Sequence, residues 1–206
     1  FPRGRSAIVG AATFGIGEAP GYDSIDLATC AAVKALAQAG LTPGDVDGLF
    51  IGLPQDFLSG LSFAEYLGIH PRITDNNRTG GSAFLTHLFW AANAIATGQC
   101  EVALIAYGSN QRSGAGKLVS AQKIPYFEGA YKPIMPVSAY ALAAARHMHQ
   151  YGTTREQLAQ VAVAARGWAK KTPEAFMRED LTVEDVLKAR GVADPLGVRD
   201  CCLVTD

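Results

Sequence analysis

Four apolar, strand-like runs alternate with helical stretches in the first half of the chain, and that alternation restricts it to an α/β layered fold. The runs are Ser6 to Ala11, Val46 to Gly52, Arg72 to Asn77 and Glu101 to Tyr107. The last is continuously apolar, as a strand buried on both faces must be. Tyr22, Asp23 and Ser24 offer cap residues for a first helix closed by Gly40, Ser62 to Leu67 reads as a short second one, and Ser82 to Thr97 as a third that stops at Gly98. Right-handed crossovers would make the strands parallel and place all four in one sheet. Phe84, Leu85, Leu88, Phe89, Ala92 and Ile95 fill one side of the third helix, while Trp90 and Ala94 make the other side apolar too. Such a helix is expected to be buried between layers.

The pattern changes after Gly108. Ser109 to Gly116 is polar and glycine-rich, and Tyr126 to Pro136 is an aromatic, proline-punctuated loop of the kind that borders sites. Helices resume near Val137; Thr153 and Thr154 with Glu156 and Gln157 form overlapping capping boxes, and Thr182 with Asp185 begins a short helix. Val198 to Thr205 reads as a strand. The expected organisation is a core over 1–108, a loop and helical region over 109–195, and the start of something further over 196–206.

Charge and cysteine usage exclude whole classes of function. With 18 basic and 19 acidic residues there is no electrostatic footprint for nucleic acid. No apolar run approaches the roughly 20 residues of a membrane span, and no signal-peptide pattern opens the chain, so a soluble, cytoplasmic protein is expected. Cys30, Cys100, Cys201 and Cys202 form no C-x-x-C pair, and His70, His87, His147 and His149 are not spaced around them. Buried thiols in a reducing compartment are expected, with no disulfide framework and no metal.

The run Arg78-Thr79-Gly80-Gly81-Ser82-Ala83, the helix with Ala94-Ile95 and Gly98, and the strand from Cys100 to Gly108 resemble the thiolase segment around the acyl-accepting cysteine. Downstream, Tyr151 to Ala159 and Asp200-Cys201-Cys202 with Asp206 are similar to the sterol-carrier, or lipid-transfer, branch of that superfamily. The resemblance covers nearly the whole chain. It implies the amino-terminal half of a thiolase-like layered fold with a mostly parallel sheet, a buried central helix and a helical loop domain. It also implies a homodimer. Thiolases resemble two fused halves, and this chain stops about where the second would begin, so a fragment, or completion by another polypeptide, is expected.

One departure bears on chemistry. The resemblance places Gly81, within one residue, where thiolases keep the nucleophilic cysteine, and neither Gly80 nor Ser82 is a cysteine. A thiolate at a helix amino terminus could hold an acyl group; glycine cannot. Backbone amides at Gly80, Gly81 and Ser82 could still steady an enolate or a thioester oxygen, although tight packing of the helix would equally explain two glycines. Ser82 could attack in principle, with a helix cap as its plainer role. Some lipid-transfer relatives of thiolases are retro-aldolases that shorten steroid side chains as coenzyme A thioesters, and Gly108-Ser109-Asn110-Gln111-Arg112-Ser113 is similar to theirs.

The remaining candidates are supporting ones. Asn110 lies where thiolases have a glutamate beside the site, or else it only stabilises a turn. Tyr126 and Tyr131 would wall a substrate pocket or pack their loop. His87 is read as a core histidine with satisfied nitrogens rather than a base, His147 and His149 as surface residues, and Lys170 and Lys171 as a solvated helix end. Three functions fit: a coenzyme A-dependent lyase or acyltransferase of lipid or steroid breakdown, a catalytically silent acyl-CoA or lipid-binding relative, and a subunit of a larger assembly with an accessory partner. No bound cofactor is expected, coenzyme A entering as part of the substrate.

Overall fold

A computed structural model describes residues 3–54, 56–115 and 127–206. The chain divides into two units, 1–117 with 205–206, and 118–204. Among the described residues no helix is long and apolar enough to cross a membrane.

The first unit is built on a parallel sheet of β1 (Gly48–Gly52), β2 (Ile73–Asp75) and β3 (Ala103–Tyr107) in the order β2-β1-β3. Gly48 stands opposite Ile73 on one side and Ala103 on the other, and Gly52 opposite Tyr107. From β1 the chain moves outward to β2, then back across β1 to β3. With one handedness for both crossovers, the connecting helices must lie on opposite faces, and they do. α1 (Ser24–Gln38) and α2 (Ser59–Leu67) cover one face, where Leu49, Ile51 and Leu53 meet Ala28, Ala32, Leu36 and Phe63. α3 (Ala83–Ala96) covers the other, where Phe50 and Cys100 meet Ala91 and Ala94. The period-2 alternation along β1 thus feeds two cores, so the strand is apolar throughout.

Three sequence expectations fail here for tertiary reasons. Ser6 to Ala11 pairs with no strand among the described residues. Gly10 is pressed against α1, where an added Cβ would stand 2.1 Å from the Ala35 carbonyl oxygen. The Ala11 N–H donates to Gln38 Oε1 at 3.0 Å, so the run lies along the helix instead of the sheet. Second, α3 is buried over only part of its surface, at Ala83, His87, Ala91, Ala92 and Ala94. Leu85 and Trp90, 72% and 50% exposed, point away on the described residues' open side. Third, Val198 to Thr205 is irregular.

The second unit holds α4 (Val137–Tyr151), α5 (Arg155–Ala169), α6 (Val183–Leu187) and a hairpin of β4 (Gly191–Ala193) and β5 (Leu196–Gly197). Of the two overlapping capping boxes expected at α5 one forms, while Thr153 Oγ1 bonds His147 Nδ1 instead. Thr154 Oγ1 accepts from Gln157 N at 3.3 Å while Thr154 N donates to Gln157 Oε1 at 2.9 Å. Thr182 and Asp185 repeat the arrangement. Arg155, one residue into α5, reaches Asp200 at 2.8 Å, and the same carboxylate oxygen accepts from Gly197 N at 2.7 Å. That pair replaces the strand expected around Asp200: the chain turns to deliver a carboxylate.

Candidate active site

In parallel sheets ligands gather outside the carboxyl ends of the strands. Here those ends are Gly52, Asp75 and Tyr107, and the glycine loop arrives at the same edge. Asp75 starts the approach: its carboxylate accepts from Asn77 N at 3.1 Å and from Asn77 Nδ2 at 2.8 Å, bending the chain out of β2. Arg78 then donates to the Pro54 carbonyl at 3.0 Å, tying the loop to the segment after β1. Phe84, in the first turn of α3, stacks edge-on against Tyr107 at 5.1 Å and lies against Gly52. The start of α3 is therefore pinned over the ends of β1 and β3.

Gly80 to Ser82 form a single 3-10 turn leading into α3, and all three are exposed. Gly80 has φ of +75°, a left-handed conformation that needs glycine, and a Cβ at either Gly80 or Gly81 would meet nothing within 4 Å. Tight helix packing therefore does not explain the pair. Open space lies in front of them, and the opening amides of a helix have no carbonyl one turn earlier to bond. Those amides and the helix dipole favour negative charge there. Ser82 does not act as the expected cap. Its backbone is already helical at φ −79°, ψ −4°, and its side chain bonds no amide, whereas a capping residue needs extended backbone.

The cysteines of this unit stand elsewhere. Cys100 packs under Gly48, at the amino end of β1, and burial pushes its thiol pKa up; Cys30 lies within α1. Neither could serve a reaction at the glycine loop. Asn110, just past β3, is 6% exposed; its Nδ2 donates to the Tyr22 carbonyl at 3.3 Å, and Gly114 closes against its amide. Among the described residues its Oδ1 and the neighbouring Ser109 Oγ are buried without a partner.

His87, one turn into α3, is fully enclosed, in contact with Phe50 and edge-on to Phe84. It is a core histidine, as expected, but not a satisfied one. Among the described residues neither ring nitrogen has a well-formed hydrogen bond, the Asn77 backbone being the polar group beside the ring, and Asn77 Oδ1 is buried and unpaired. Burial holds the imidazole pKa below its ordinary value, against the pull of the Asp75 carboxylate. Leaving such groups unpaired costs about 1–3 kcal/mol each. Nothing in the sequence distinguished this histidine from an ordinary core residue, because its loss of partners depends on the fold around it.

Of the two tyrosines, Tyr126 lies outside the described residues; Tyr131 belongs to the second unit and is 85% exposed in a 3-10 turn. His147 Nδ1 bonds Thr153 Oγ1 at 3.0 Å on the surface, and Lys170 pairs with Asp180, both consistent with solvated positions. A large cleft of about 690 Å³ is not at the glycine loop. It runs between residues 6–14, α1, the later turns of α3 and β3, is lined mostly by apolar groups, and Asp206 stands in its wall.

No protein-family model matches the chain. The chain is 33% identical over 215 residues to a steroid side-chain-cleaving aldolase of Thermomonospora curvata, covering 98% of this chain and 55% of that protein. It is also 33% identical over 218 residues to the 17-hydroxy-3-oxo-4-pregnene-20-carboxyl-CoA lyase of Mycobacterium tuberculosis, with the same coverage. Among solved structures, the Ltp2-ChsH2(DUF35) aldolase superposes with a TM-score of 0.81 at 33% identity, over 97% of this chain and 53% of that one. The chain thus spans about 55% of the length of the curated relatives it matches. On its parallel sheet, its glycine loop opening α3 and these relatives, the chain belongs to the thiolase superfamily, as a relative of the sterol-carrier type.

Proposed function

We propose that the protein is a lyase that cleaves a carbon-carbon bond in a coenzyme A thioester of lipid or steroid metabolism by a retro-aldol step, without an acyl-enzyme. The observation that carries this reading is the Gly80-Gly81 turn at the start of α3, exposed and facing open space, with neither thiol of the first unit at that edge of the sheet. Two relatives named as an aldolase and a CoA lyase support it.

In the step itself, a base removes the proton from a β-hydroxyl, and the resulting oxygen lone pair forms a carbonyl as the Cα–Cβ bond breaks. The bond's electrons pass into the thioester as an enolate, which is then protonated at Cα. Preorganised amides aimed at the enolate oxygen lower that barrier most, and in this reading Gly80 and Gly81 supply them. Coenzyme A is part of the substrate, and no further cofactor is required. A second copy of the chain and an accessory polypeptide belong to this reading, the solved aldolase's name joining Ltp2 to ChsH2.

The test uses the full-length protein and a β-hydroxyacyl-CoA. Release of an aldehyde or ketone is expected, with no acyl group retained on protein after acid quench. Ser82→Ala should keep most activity, because the amides rather than the hydroxyl stabilise charge. Gly81→Val should abolish turnover yet fold, since its backbone lies outside the left-handed region and a side chain there has room. A trapped acyl-serine in the wild type, lost in Ser82→Ala, would overturn the reading. A dimer by sedimentation is expected.

A further inference from the structure

On α3 a buried histidine without a well-formed hydrogen bond lies beside the backbone of Asn77, whose side-chain oxygen is also buried and unpaired among the described residues. His87 is completely enclosed between β1 and the loop after β2, with no well-formed hydrogen bond to either ring nitrogen among the described residues. Its ring lies beside the backbone of Asn77, and the Asp75 carboxylate is near enough to act on it. Asn77 Oδ1 is buried and also unpaired, although its Nδ2 and backbone N–H are both held by Asp75. Unpaired polar groups in an otherwise apolar setting call for a role outside stability. A phenylalanine would fill the space between Phe50 and Phe84 without any such loss.

We propose that His87 is a positioning residue: a small rotation brings its ring N–H onto Asn77, and that bond fixes the segment Asn77 to Ser82 and the direction of the Gly80 and Gly81 amides. The proposal deepens the retro-aldol reading and rests on it for its catalytic consequence. The imidazole works as a neutral donor, in keeping with its burial, and exchanges no proton with substrate. The chain of support runs from the Asp75 carboxylate through Asn77 to Gly80, three residues on, with His87 closing it from α3. Oriented amides of this kind lose much of their effect when their direction is left free.

The experiment compares His87→Phe, His87→Leu and His87→Gln in the full-length protein. Amide hydrogen exchange is followed at residues 77–82 in the free protein, alongside thermal unfolding and turnover of the β-hydroxyacyl-CoA. His87→Phe and His87→Leu should melt no lower than the wild type, or only slightly lower for the smaller leucine. Exchange at 77–82 should nevertheless speed up about tenfold or more, and kcat should fall by a similar factor with KM little changed. His87→Gln, which restores an N–H donor, should recover protection and kcat. Unchanged exchange in both apolar variants, or equal loss in all three, overturns the proposal. Should the wild type show no lyase activity, the retro-aldol reading fails while the exchange contrast still decides the role of His87.

Discussion

Two adjacent glycines at the candidate site carry different constraints. Gly80 holds φ at +75°, whereas Gly81 does not, and neither would crowd a neighbour if given a side chain. Alanine at each therefore isolates backbone conformation from packing. Gly80→Ala should destabilise by about 1–2 kcal/mol, the cost of a left-handed non-glycine residue, and Gly81→Ala should stay within about 0.5 kcal/mol. Urea unfolding of the two variants checks the difference; equal losses would mean that the turn is not left-handed in solution. The glycines themselves were legible in the sequence, because a Gly-Gly pair before a strong helix is a local signal. Ser82's failure as a cap was not legible, since it depends on a 3-10 turn that makes the residue helical before it could cap.

Among the elements, those set by local chemistry were legible and those set by distant partners were not. The capping boxes at Thr154 and Thr182 sit within four residues of the helices they open, so both helix starts follow from sequence. The three paired strands follow from apolar runs between turn residues. By contrast, Ser6 to Ala11 has strand composition yet lies along α1, a choice made by Gly10 against Ala35 and Ala11 against Gln38. The β4-β5 hairpin went unread because Pro195 interrupts it. The segment from Val198 is bent so that Asp200 meets Arg155 with only 5% of its side chain exposed, and Arg155 Nη1 is itself buried and unpaired. Removing the carboxylate would strand a guanidinium in that setting. Asp200→Ala should therefore cost about 3 kcal/mol, the low end for a broken buried pair because Arg155 keeps some solvent contact. Thermal unfolding checks it, and a shift in Tm no larger than that of an exposed alanine substitution would show the pair to be dispensable.

At the scale of the whole chain, one carboxylate gathers segments far apart in sequence. Asp206 Oδ2 accepts from Ala19 N at 2.9 Å and Oδ1 accepts from Arg112 N at 2.7 Å and Ser113 N at 3.0 Å, while Asp206 N donates to the Gly17 carbonyl at 3.1 Å. Arg112 also pairs with Glu18 at 2.6 Å, tying the same two segments directly. The clasp holds the turn that follows Asn110, and so reaches the edge where the candidate site lies. Partial burial alone would raise the Asp206 pKa, but the hydrogen bonds from Ser113, Ala19 and Arg112 hold it below the ordinary value. A folded-state pKa depressed in this way adds stability that is complete above the unfolded value, near 3.9 for a free aspartate. The contribution is lost as pH falls through the folded one. Asp206→Asn would present an amide to the cluster of N–H donors, and its one carbonyl oxygen could serve only part of them. At pH 7 the variant should be less stable by on the order of 1–2 kcal/mol, discounted for the solvent that reaches the group. Urea midpoints measured from pH 7 down to about pH 2 should stay apart above about pH 4 and converge below it, since a neutral Asp206 can no longer hold all three amides. Curves that stay parallel over that range would mean that the charge on Asp206 does not support the clasp.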